Sequence, residues 1–134
     1  MKILLTTMAL LFASSGASAA DAVITPDKFP KSNTPEARIF RGSIVFRNYC
    51  VLCHGVDADG KGRAAKLYNP KPANLVLSDK NDQYLEMIIR QGGGAIARSE
   101  FMPPWGNELT REQITDVVGF LRSIRQESVA ARKD

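Results

Sequence analysis

Cys50-Val51-Leu52-Cys53-His54 packs two thiols and an imidazole into five residues, and the 134-residue chain has no other cysteine and no other histidine. A C-x-x-C-H run is the attachment pattern of a covalently bound haem. Two cysteines separated by two residues on one turn of helix can each add to a porphyrin vinyl group. The histidine beside the second thioether is then held where an imidazole nitrogen can ligate the iron. Three other readings fit these residues less well. A structural zinc wants four ligands, and only three such side chains of this kind exist here. A thioredoxin-like redox pair belongs in a βαβ setting that the neighbouring sequence does not offer. A disulfide across two residues closes a tight loop with little entropic gain.

Upstream, helical spacing delivers the chain into Cys50. Thr34 is a cap with Pro35 in the first turn, and Ile39, Gly42, Val45, Phe46 and Tyr49 recur at intervals of three and four. Gly42 lowers helix propensity by roughly 1 kcal/mol relative to alanine, which fits a close helix crossing at that position. Downstream, residues 55–62 form a loop whose Asp57, Asp59 and Gly60 miss the calcium-loop register, since Lys61 and Tyr68 fall where ligands are needed. Residues 67–75 contain Pro70 and Pro72 and read as an extended segment. A backbone carbonyl near either proline would suit the second ring nitrogen of His54, because a ligating histidine needs an acceptor there.

A second ligand for iron comes from the methionines. Met1 and Met8 fall in an N-terminal export signal, and Met87 lies within a helical pattern where core packing is the usual role. Met102 sits in Phe101-Met102-Pro103-Pro104-Trp105-Gly106, a loop that two prolines stiffen, and a thioether opposite histidine suits haem iron. Before that loop, a middle helix is expected from a Ser78 cap through Tyr84, Leu85, Ile88 and Ile89 to Gln91. Gly92-Gly93-Gly94 lacks the following Lys-Ser/Thr of a phosphate loop and reads as flexible connection. Thr110-Arg111-Glu112-Gln113 is a capping box that opens a last helix with Ile114, Val117, Val118, Leu121 and Ile124 on one stripe. No alternating strand pattern occurs, so the expected fold is all-α, with three to four helices packed around one covalently attached haem.

Residues 1–20 read as a secretory signal peptide, with Lys2, a short apolar run and Ala17-Ser18-Ala19 as cleavage site. That run is shorter than a bilayer span, so no stable membrane insertion is expected after cleavage, and the expected location is the periplasm. Residues 21–33, with Pro26 and Pro30, form an extended or disordered leader. The domain is expected at 34–127, with a polar tail at 128–134. The formal charge of +4 falls to +3 without Lys2, and the basic residues are neither blocked together nor interleaved with stacking aromatics. No nucleic-acid partner is therefore expected. Lys61, Arg63, Lys66 and Lys71 follow the motif as a solvated charged face or a docking surface.

Taken together, these residues resemble the class I c-type cytochromes of compact, single-haem bacterial type, over about residues 41–125. The resemblance rests on Gly42 and Phe46 ahead of Cys50-Val51-Leu52-Cys53-His54, on Met102-Pro103-Pro104, and on Phe120 in the last helix. In that family the first and last helices cross at a glycine and an aromatic. Gly42 and Phe120 match those positions, although tyrosine or tryptophan is commoner than phenylalanine. The resemblance implies a periplasmic one-electron carrier, not an enzyme, with one haem c held by Cys50 and Cys53, with His54 and Met102 as metal ligands, and with protein redox partners. Two alternatives share the haem. One is an electron-transfer subunit of a larger periplasmic oxidoreductase complex, and the other is a haem-based ligand sensor or enzyme, which would need an open sixth position.

Overall fold

Residues 33–125 are described by a computed structural model, and they form four α-helices and two single turns of 3-10 helix. In order these are α1 (Pro35–Tyr49), α2 (Val51–His54), a turn at Ala65–Leu67, α3 (Asp82–Gln91), a turn at Gly94–Ile96, and α4 (Arg111–Ser123). Among the described residues there is no strand, in keeping with the expected all-α class. The expected signal peptide, all of the leader but Asn33, and the tail lie outside the described residues.

The termini of α1 and α4 follow their sequence signals. Thr34 Oγ1 accepts a hydrogen bond from Ala37 N at 3.2 Å, with Pro35 in the first turn. At α4, Thr110 Oγ1 accepts from Gln113 N at 3.2 Å while Gln113 Oε1 accepts from Thr110 N at 2.8 Å, which completes the capping box. The start of α3 differs from expectation. Its cap is Asn81, whose Oδ1 accepts from Tyr84 N at 2.9 Å, rather than Ser78. Ser78 is held in a preceding turn: Asn74 Oδ1 accepts from Val76 N and Leu77 N, and Ser78 N donates to Leu75 O. The chain is therefore free to enter helix only after Lys80.

The most extensive helix contact joins α1 and α4. Gly42 makes it possible, because a Cβ there would lie 2.0 Å from Asp116 O and 2.9 Å from Phe120 Cβ. The rings of Phe46 and Phe120 then meet with centroids 5.3 Å apart. Around this crossing Val45, Phe46, Ile114, Val117, Val118 and Leu121 are buried, joined by Leu85 and Ile89 from α3. The helical pattern did not foretell Arg41, which is buried beside Gly42. It makes a two-pronged contact with Asp116, Nε to Oδ2 at 2.6 Å and Nη2 to Oδ1 at 3.1 Å. Arg38 and Glu112 flank the pair at 3.6 and 3.5 Å. The hydrogen bond to Asp116 holds the Arg41 guanidinium above its ordinary pKa. Taking two charges out of water offsets much of their attraction, so the pair adds little net stability, whereas removing either partner alone would leave a buried charge without its counterpart.

Gly119, also on α4, is a contrasting case. A Cβ there meets nothing within 4 Å, and the helix gains nothing from its backbone freedom. Gly119→Ala is expected to stabilise the protein by about 0.4–1 kcal/mol through the unfolded chain, read as a raised midpoint in thermal denaturation.

Candidate functional site

α1 ends at Tyr49, and Cys50 caps it while also opening α2, so one short turn carries both thiols and the imidazole. Cys53 N and His54 N both donate to Cys50 O, at 3.2 and 2.9 Å, which winds the motif into the single helical turn its spacing called for. Both cysteines are half-buried and unpaired by any disulfide. Burial, with a smaller contribution from Cys53 beside it, pushes the Cys50 thiol up to about 12. Cys50 is therefore a neutral thiol at ordinary pH.

His54 Nδ1 lies 3.0 Å from Ala73 O. A carbonyl can only accept, so Nδ1 carries the proton and Nε2 keeps a free lone pair. Burial lowers the imidazole pKa from 6.5, and the Ala73 hydrogen bond offsets part of that shift. The ring is thus neutral, as a metal ligand must be. The acceptor is the residue after Pro72 and neither proline itself.

A closed circuit of contacts links this turn to the Met102 loop. Gly62 N donates to Cys53 O at 3.1 Å and Ala64 N to Leu52 O at 3.0 Å, which fixes residues 62–68 against α2. Tyr68 then packs on Phe101, with ring centroids 5.0 Å apart. Trp105, three residues past Met102, meets Tyr49 edge-on at 5.3 Å, immediately before Cys50. Cys50, Met102 and Trp105 all pack against the same buried core. Met87 is half-buried on α3 and does not belong to that set.

The glycines ahead of Met102 are not a loose connection. Gly92 and Gly93 are buried, Gly93 N donates to Met102 O at 2.9 Å, and Trp105 N donates to Ile89 O at 2.9 Å. A Cβ on Gly92 would lie 2.9 Å from Met102 O, and one on Gly93 would lie 2.2 Å from Ser99 O and 3.2 Å from Met102 Cβ. Close backbone approach, with φ of +79° at Gly92, is what requires glycine here. The Met102 loop is therefore strapped to the end of α3.

This donor set fits a covalent haem. Two half-buried thiols and a neutral imidazole with its Nε2 free share one turn, and a thioether stands on a braced loop. Apolar side chains without partners in the core flank both, among them Leu52 on α2, Leu67, and Phe101 beside Met102. Among the described residues no three His, Cys, Asp or Glu side chains are grouped to hold a bare metal ion, and no helix is long and apolar enough to cross a membrane.

Known proteins similar to this chain include cytochrome c subunits. The chain is 30% identical over 91 residues to the cytochrome c subunit of the quinone alcohol dehydrogenase of Gluconacetobacter polyoxogenes and to that of Komagataeibacter europaeus. The match takes in 61% of this chain, which spans only 18% of the length of either relative. The fold is similar to a chain of the reducing HAO-like protein complex of Kuenenia stuttgartiensis, with a TM-score of 0.55 and 28% identity over 73% of this chain and 45% of that one. The profile of the family described as cytochrome c oxidase, cbb3-type, subunit III matches residues 37–121, from the first turn of α1 to the last turn of α4. That span holds Cys50, Cys53, His54 and Met102, and the chain belongs to this family of c-type cytochromes.

Proposed function

We propose that this domain transfers single electrons through one haem c, held by thioethers to Cys50 and Cys53, with His54 and Met102 as axial ligands. The observation that carries the reading is the closed circuit from the Cys50–His54 turn through Tyr68–Phe101 and Trp105–Tyr49, which joins the motif to the Met102 loop. A haem iron supplies a one-electron couple whose potential the axial pair sets. The protein's part is to hold, orient and exclude. Ala73 O fixes the His54 ring through Nδ1, Gly93 N fixes the backbone at Met102, and the α1–α4 crossing fixes the helix that leads into Cys50. A haem iron held by both His54 and Met102 would have no coordination site left for a substrate, which favours a carrier over a sensor or enzyme.

Export to the periplasm is part of the same reading, supported by the signal-like residues 1–20. So is exchange of electrons with protein partners. The named relatives are a cytochrome c subunit and a member of a multi-protein complex, which supports the subunit form of the reading as well as the diffusible one.

The test is covalent attachment. Protein matured in a periplasm with haem-ligation machinery should keep its haem through denaturing electrophoresis and acid–acetone extraction. The Cys50→Ser, Cys53→Ser double variant should lose it completely. Haem extracted freely from the wild type would overturn the proposal.

A further inference from the structure

The hydrogen bond from His54 to Ala73 joins two segments that have no reason in their own sequence to stay together. One is the end of α2, and the other is the irregular chain around Pro72. Gly60 touches both. Gly60 N donates to His54 O at 2.8 Å, which folds the loop after the motif back over the histidine. On its other side the Gly60 backbone abuts the acceptor segment. A Cβ on Gly60 would stand 2.5 Å from Pro72 O and 3.2 Å from both the carbonyl carbon and oxygen of Ala73. Gly60 also takes φ of +82°, a conformation that glycine adopts without cost. Two residues earlier, Ala58 O accepts from Leu75 N at 2.8 Å and pins the same segment from its far end. The acceptor for the imidazole is thus seated on Gly60 and Ala58 and stiffened by the Pro72 ring.

We propose that Gly60, together with Pro72, is a positioning residue for the axial imidazole, setting how closely the Ala73 carbonyl holds the His54 Nδ1 proton. The inference rests on His54 being an axial ligand, as proposed above. A strong hydrogen bond at Nδ1 makes the imidazole a better electron donor through Nε2, which favours Fe(III). Anything that pushes Ala73 O away should weaken that bond and favour Fe(II). Gly60 therefore acts on the reduction potential without touching the iron or the His54 ring, its contact with that residue being through the backbone carbonyl.

Asparagine tolerates positive φ better than other side chains, so Gly60→Asn introduces the Cβ with least backbone strain. Gly55→Asn is the matched control. Gly55 has φ of +81° in the same loop, but its Cβ would meet the Asp59 carboxylate at 2.9 Å and Gly62 N at 3.3 Å instead of the acceptor segment. Both are prepared as full-length holoprotein. The readouts are the midpoint potential by voltammetry and the solvent exchange rate of the His54 Nδ1 proton by NMR in the reduced state. Gly60→Asn is expected to shift the couple about tenfold toward Fe(II), which is ~59 mV upward for one electron, and to speed Nδ1 proton exchange several-fold. Gly55→Asn is expected to move neither. If Gly60→Asn yields no holoprotein, Pro72→Gly carries the test, with the same two shifts expected from loosening the seat. Unchanged potential and exchange in the folded variant would overturn the proposal, as would equal shifts in the Gly55 control. Absence of any iron-bound imidazole signal from the wild type would instead sink the assignment of His54 as ligand, before Gly60 is tested at all.

Discussion

His54→Ala is expected to reduce the yield of holoprotein by at least about tenfold. Loss of a partner that merely orients a metal ligand costs on the order of 10–100-fold in metal affinity, and removal of the ligand itself should cost no less. The side chain has no substitute nearby, since the chain holds a single histidine. It also links α2 to the segment at Ala73 through its ring. The variant should therefore lose the axial donor and the anchor of the acceptor segment together. Haem absorbance per milligram of purified protein reads the effect. Abundant His54→Ala protein with an unchanged spectrum would contradict the role given to this residue.

Gly42→Val should destabilise the fold by about 3 kcal/mol, at the upper end of the range for overpacking. The close neighbour is backbone, with Asp116 O only 2.0 Å from the position a Cβ would take, so no rotamer change can relieve the clash. α1 and α4 would have to part, which also pulls apart the Arg41–Asp116 contact and the Phe46–Phe120 pair. Urea denaturation of the holoprotein measures it. An unchanged midpoint would mean that the helices do not cross at Gly42.

The parts of this protein that sequence announces are those in which side-chain type or periodicity carries the role. The gathering of Cys50, Cys53 and His54 on one helical turn is legible from their spacing, and the start of α4 is legible because a capping box needs Thr110 and Gln113. The Gly42–Phe120 crossing was legible through resemblance and is borne out by the packing. A carbonyl near Pro70 or Pro72 was legible as the partner of His54, and the one that serves is that of Ala73. Which carbonyl it is escaped, as did other work done by backbone, because every residue carries the same group. Gly92 and Gly93 looked like slack, because a tripled glycine reads the same whether it is loose or tightly packed. The start of α3 was misplaced by three residues because Ser78 and Asn81 are both good caps, and only the turn at Asn74 decides between them. Arg41 and Asp116 escaped for another reason. Each looks like a solvated charge until its partner, 75 residues away, is brought against it. The faint signal was Asp116 lying between Ile114 and Val117 on an otherwise apolar face.

The central claim is that His54 and Met102 share one iron, and the most direct measurement is the far-red iron–sulfur band of the ferric protein in two methionine variants. Met102→Ala removes a soft sulfur donor that favours Fe(II), so the band should vanish, the potential should fall, and added imidazole or cyanide should bind. Met87→Leu is a near-isosteric change on α3 that should cost less than about 1.5 kcal/mol and leave the band as it is. A band that survives Met102→Ala and disappears in Met87→Leu would contradict the account.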